Sequence, residues 1–238
     1  MDIVSEIKTA LAFSSVQEKK EFYPKFFKSG KGEYAEGDEF IGVTVPDQRK
    51  ISKAFYSQIS LPELGILLSS KIHEHRQTSL FMLVSKYEKS KTANEKKEIV
   101  EFYLQHKKFI NNWDLVDVSC YKILGAYCFE NQKDSILLEL SKSKNLWEKR
   151  MAVVSTMFYV KKGEFQLLKR IVTRNLQDSH DLMHKANGWL LREMGKKNES
   201  ELLNFLDLHY QNMPRTTLRY SIEKLEENLR QSYLQGKR

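Results

Sequence analysis

Glycine and proline are scarce in this 238-residue chain, at 10 and 4 residues, which leaves long unbroken stretches for helices. Cysteine is limited to Cys120 and Cys128. On one helix their spacing separates them by roughly 12 Å of axial rise, too far for a disulfide, so both read as small core residues in a reducing compartment. No apolar run approaches the roughly 20 residues needed to cross a bilayer. The N-terminal MDIVSEIKTALAF is acidic and amphipathic, unlike a signal peptide, so a cytoplasmic protein with no membrane partner is expected. No Gly-rich loop followed by Lys-Ser or Lys-Thr occurs, which argues against an ATPase. His73 and His75 flank Glu74, and His180 and His184 stand four apart, but neither group has the HExxH arrangement or a cysteine partner for zinc, so no metal site is expected.

What the chain does have is apolar residues at spacings of three and four, the signature of amphipathic helices. Helices are expected over 62–69, 74–88, 94–108, 113–129, 133–141, 146–160, 164–176, 198–211 and 215–232. A further one follows Asp178, the expected N-cap, with Leu182, Ala186, Trp189 and Leu190 on one face and Gly195 plus two lysines as its stop. Short polar connections make successive helices antiparallel neighbours. A long succession of such pairs predicts an all-α fold, an α-solenoid of HEAT-like units spanning residues 1–238 as a single domain, with one concave face free for an extended ligand.

One segment breaks the pattern. Beyond Lys28, the run 29–46 (SGKGEYAEGDEFIGVTVP) holds four glycines, a turn candidate at Glu36-Gly37-Asp38, and β-favouring residues including Tyr34 and Phe40. It is expected to form a short hairpin or an ordered loop between two helices.

With 39 Lys plus Arg against 31 Asp plus Glu, the formal charge is +8 and the pI about 9.2, so a polyanion is the first partner to consider. The three tryptophans all stand beside charged residues. Trp113 and Asp117 are four apart in NNWDLVD and share a helical face, while Asp114 suits the dipole of a first turn. Trp147 lies in NLWEKR with Arg150, and Trp189 in ANGWLLRE with Arg192. Arg215 and Arg219 stand four apart in MPRTTLRYSIEKL.

These four strings resemble, in order and spacing, motifs of the DNA alkylation repair family of HEAT-like DNA glycosylases, and the resemblance runs from about Pro24 to Leu225. It implies a catalytic group of Asp117, Trp113 and Trp189 around the deoxyribose of a damaged nucleotide, with Arg150 on the adjacent phosphate. It also implies excision of N3- or N7-alkylated purines without metal or organic cofactor. Where the catalytic members carry a tyrosine in the early helix this chain has Phe26, and the 29–46 insertion resembles a hairpin-bearing branch associated with branched DNA rather than base excision.

Asp117 fits such chemistry on physical grounds, because cleaving a cationic purine from its sugar develops positive charge that a nearby carboxylate stabilises. The expectation is therefore a monomeric binder of duplex, damaged or branched DNA, with Phe26, Lys28, Trp147, Arg150, Arg192, Arg215 and Arg219 as contacts and the hairpin as a probe. The alternatives are a monofunctional glycosylase and a HEAT-like scaffold binding an acidic protein.

Overall fold

The structure, a computed structural model, describes residues 2–238. The chain divides into two compact units, one ending at Ser119 and the other formed by Cys120–Arg238. The described residues are helical with two isolated β-bridges, and none of their helices is long and apolar enough to cross a membrane.

The first unit contains α1 (Ile3–Phe13), α2 (Gln17–Phe26), α3 (Val45–Phe55), α4 (Leu61–Leu68), α5 (His73–Lys89), α6 (Ala93–Gln105) and α7 (Trp113–Cys120). Local sequence explains their starts. Asp2 accepts from the Ser5 amide, and Ser60 with Glu63 and Thr92 with Glu95 form reciprocal capping boxes, each satisfying amides the helix leaves unpaired. Helix α5 packs against α3, α4 and α6 and is the spine of the unit. From His73 to Val84 every residue is buried, polar and apolar alike. A helix covered on all sides cannot show an amphipathic stripe, and its polar residues must find partners inside.

The second unit contains α8 (Ala126–Glu130), α9 (Asp134–Leu140), α10 (Leu146–Ser155), α11 (Met157–Lys161), α12 (Gln166–Arg174), α13 (Asp181–Lys197), α14 (Glu199–His209), α15 (Arg215–Ser221) and α16 (Glu227–Leu234). A wider π turn at Tyr121–Gly125 lies between α7 and α8, so 113–129 is not one regular α-helix. The expected helix 215–232 also divides, because Glu226 accepts from the Asn228 and Leu229 amides and starts a new helix. Cys120 and Cys128 are buried free thiols, and burial pushes Cys128 up to about 12. In both units helices pack against the next and the next but one, as α3 with α5 and α13 with α15, the contact pattern of stacked helical pairs.

Two expected helix limits shift. His180, not Asp178, caps α13, its Nδ1 accepting from the Leu182 amide. Gly195 does not end that helix, which runs on to Lys197. A Cβ at Gly195 would lie 2.4 Å from Leu202 Cδ2, so its missing side chain admits α14 rather than stopping α13.

The expected hairpin is absent. Residues 29–44 are ordered turns and loop, and no two of their segments pair as strands. The bridges join this loop to other parts of its unit: Val43 to Ser15 and Glu39 to Ile72. The β-favouring residues turn inward instead. Phe40 is buried and stacked on Phe27, while the amides of Ile41, Gly42 and Val43 point at the Glu74 carboxylate rather than at a partner strand. Asp38 is drawn into the interior, Tyr34 is half-buried, and Glu36 and Gly37 stay exposed in a turn where Gly37 has φ +87°.

Candidate functional site

The first turn of α5 gathers residues distant in sequence. His73 is almost fully buried, with Nδ1 3.2 Å from Asp38 Oδ2 and Nε2 2.7 Å from Asp114 Oδ2. A neutral imidazole donates through only one nitrogen, and here both face carboxylates, so the ring is held as imidazolium. Burial alone would lower its pKa; the Asp114 charge and the bonds to Asp114 and Asp38 override it and carry the pKa up to about 9. Burial likewise pushes Asp38 up, but hydrogen bonds from His73 and Arg76 hold it below the usual carboxylate range. Gln77 Nε2 donates to the same Asp114 oxygen at 2.7 Å. Asp114, read from sequence as a helix-dipole residue, therefore ties the start of α7 to α5.

Glu74 performs a second tie. Its Oε1 accepts from the amides of Ile41 at 3.2 Å, Gly42 at 2.7 Å and Val43 at 3.2 Å. Three successive amides converging on one anion make a nest. The curvature needs Gly42 at φ +84°, where a Cβ would also sit 2.4 Å from the Val16 carbonyl oxygen.

Above this polar floor lies an aromatic ladder. Phe40 and Phe27 stack with centroids 5.3 Å apart, Phe27 stacks on Trp113 at 5.6 Å, and both phenylalanines lie against the His73 ring. The ladder continues outward through Phe26, edge-on to Trp113 at 5.9 Å, to Phe22, stacked on Phe26 at 5.5 Å. Phe26 and Phe22 are 48% and 50% exposed, whereas Phe27 is buried. Trp113 and Asp117 are both half-buried one turn apart on α7. In the first unit Phe26 thus lies edge-on to Trp113, and Asp117 stands one turn from Trp113 on α7. Sequence reading missed Phe22, which bears the same i, i+4 relation to Phe26 on α2, and weighed His73 and Glu74 only as metal ligands, not as a group with Arg76 and Gln77; the sign of that group is seven successive polar residues, His73 to Ser79, opening a helix.

The second unit treats its expected contacts differently. Trp147 is only 8% exposed and packs into the core, which corrects its reading as a DNA contact. Arg150 is also buried and donates from Nη1 to the Leu182 carbonyl at 2.5 Å, tying α10 to the start of α13. Beside it, Lys149 pairs with Asp178. Arg192 pairs with Glu223, and exposed Arg215 donates to the Leu234 carbonyl at 3.1 Å. Arg219 is exposed on α15, one turn beyond Arg215.

Trp189 is half-buried on α13 next to Gly188, where α15 makes its closest approach. A Cβ at Gly188 would lie 2.4 Å from Tyr220 Cβ and 2.6 Å from the Thr217 carbonyl oxygen. Gly188→Ala is expected to destabilise the chain by about 2 kcal/mol through forced separation of the two helices and to shift Trp189 emission. Urea unfolding coincident with wild type would show that α15 yields without strain.

A chain of helices packed on their neighbours around buried polar ties, with no paired strands among the described residues, is an all-α protein. The family model described as DNA alkylation repair enzyme matches residues 7–225, and the chain belongs to that family. In fold it is similar to a predicted DNA alkylation repair enzyme from Enterococcus faecalis, with a TM-score of 0.69 over 91% of this chain and 99% of that one, at 17% identity. No curated protein matches the chain.

Proposed function

We propose that this protein binds duplex DNA and favours sites where damage has weakened base stacking, with Trp113 and Phe26 against the distorted nucleotide and Asp117 toward its sugar. The observation that carries this reading is the packing of Trp113 against both Phe26 and Phe27, one helical turn before a carboxylate, in a chain of the alkylation repair family. An alkylated purine carries positive charge, which favours aromatic faces and a carboxylate together. Phosphate contacts beside this site come from exposed Lys28 of the first unit, and the second unit, taken by itself, offers exposed Arg215 and Arg219; such contacts hold a duplex without reading its sequence. Affinity is accordingly strongly salt-dependent with little sequence preference. Branched DNA rested on the hairpin and has no dedicated element without it.

A second reading, excision of the alkylated base, is favoured by the position of Asp117. The glycosidic bonding electrons leave with the cationic purine, which departs neutral, water adds to C1′ and gives up its proton to the Asp117 carboxylate and then to solvent, and the carboxylate stabilises the charge growing on the sugar. A unit charge pair at about 4 Å and effective dielectric near 20 is worth roughly 4 kcal/mol, or about a thousandfold in rate. Incubation with methylated DNA separates the readings. If free 3-methyladenine or 7-methylguanine appears, Asp117→Asn is expected to slow its release about a thousandfold while leaving binding nearly unchanged. Tight, salt-sensitive binding without base release supports recognition alone. Failure to bind DNA at low salt sinks both and revives a protein-binding scaffold.

A further inference from the structure

The DNA-binding reading leaves Phe22, the outermost ring of the aromatic ladder, unused. Phe22 and Phe26 form an exposed pair on α2, rings tilted only 30° from parallel, and Phe26 is held from below by Trp113 and by Phe27 at 4.9 Å. Scattered surface phenylalanines need no explanation, but a contiguous stack braced on a buried one is preorganised. The charge on α2 and the turn after it is mainly positive. Residues 17–31 contain five lysines, Lys19, Lys20, Lys25, Lys28 and Lys31, all exposed, against Glu18 and Glu21. Lys19 Nζ stands 5.9 Å from the Phe22 centroid, and Glu21 is engaged by Gln17 Nε2 at 2.7 Å.

A backbone observation points the same way. α2 closes with the Ser29 amide donating to the Pro24 carbonyl at 3.0 Å, with Lys28 at φ +53°. That left-handed closing position is normally glycine, because a side chain there strains the backbone. Lysine holds it here, at the end of α2 that also carries Phe26, so a cation occupies a position where local stability favours glycine.

Exposed aromatic faces interleaved with cations match the two recurring chemistries of an unpaired strand, which presents bare base faces and a phosphate backbone. We propose that Phe22 and Phe26 form a stacking platform for an unpaired nucleotide, with Lys19, Lys25 and Lys28 on its phosphates, so that the protein prefers DNA with a single-stranded gap over intact duplex. This rests on the DNA-binding reading and adds to it a site for an unstacked base. The platform is sequence-tolerant, since every base offers a π-face.

The test compares intact duplex with the same duplex carrying a short gap, with 2-aminopurine in the unpaired strand. Wild type is expected to bind the gapped form about tenfold more tightly and to quench 2-aminopurine by stacking. Phe22→Ala removes the preference and the quenching while keeping intact-duplex affinity. Phe22→Trp retains both, and Phe22→Leu, equally apolar without a π-face, behaves as Phe22→Ala. Lys28→Gly raises the melting temperature yet weakens gapped-DNA binding, which separates a binding residue from a structural one. Equal affinity for both DNAs with no effect of Phe22→Ala overturns the platform and leaves duplex binding standing; no affinity for either DNA overturns the DNA-binding reading itself. A Phe22→Leu variant as effective as wild type also overturns the platform.

Discussion

Replacing Glu74 with alanine is expected to lower stability by about 3 kcal/mol, equivalent to roughly 6–12 °C in Tm for a chain of this size. The carboxylate is the acceptor for the Ile41, Gly42 and Val43 amides, and Glu74 is almost fully buried. Removing it strands donors away from water, and each carries the full penalty of an unsatisfied buried group. The cheapest escape is for the loop to lift, which also exposes Phe40 and unstacks it from Phe27. Limited proteolysis should therefore cut within 29–46 in the variant and spare wild type. Glu74→Gln keeps one acceptor oxygen and is expected to fall between the two. A Glu74→Ala protein that melts within a degree of wild type and resists cleavage in the loop would show that the nest is incidental.

This tie also marks the limit of what the sequence made legible. Helical periodicity is a local property, so it located most helices, and the four-residue spacing of Trp113 and Asp117 gave their shared face correctly. The core roles of Cys120 and Cys128 followed from the same local reasoning. The Asp38, His73 and Asp114 group joins positions 35 and 41 residues apart, and no period in the chain signals it. For the run 29–46 the sequence leaves a hairpin and an ordered loop both open, because β-propensity describes what fits a pleated surface; the loop forms, with Phe40 and Val43 packed inward while a buried carboxylate takes the amides a strand would have used. Trp113 and Trp147 look alike in sequence, each beside an acid at a helix start. Only packing distinguishes them, Trp147 buried in the core and Trp113 half-exposed in the ladder.

Substituting His73 with leucine is expected to cost about 3–5 kcal/mol, because it removes the cation between Asp38 and Asp114 and leaves those carboxylates with Arg76 and Gln77 alone. The sign of its pH dependence is fixed by the raised pKa. Unfolded, His73 titrates at the ordinary histidine value of 6.5; folded, at about 9. Its contribution is thus fully present below the first value and disappears as pH rises through the second. His75 has the opposite sense: burial, with Lys8 nearby, lowers it to about 4, so the stability it adds is present above 6.5 and lost as pH falls through about 4. Because His75 is common to both proteins, the difference between wild type and His73→Gln isolates His73. That difference should be largest near pH 6 and shrink steadily by pH 10 in urea unfolding, while Asp38→Asn, which removes one of the two carboxylates, should move the alkaline midpoint toward lower pH. A gap constant from pH 6 to 10 would mean that the ring is neutral and packs without charge. A shrinking gap carries a functional corollary: above pH 9 the Asp114 anchor loosens, Trp113 and Asp117 lose their fixed orientation on α7, and DNA affinity should decline faster than the lysines alone account for.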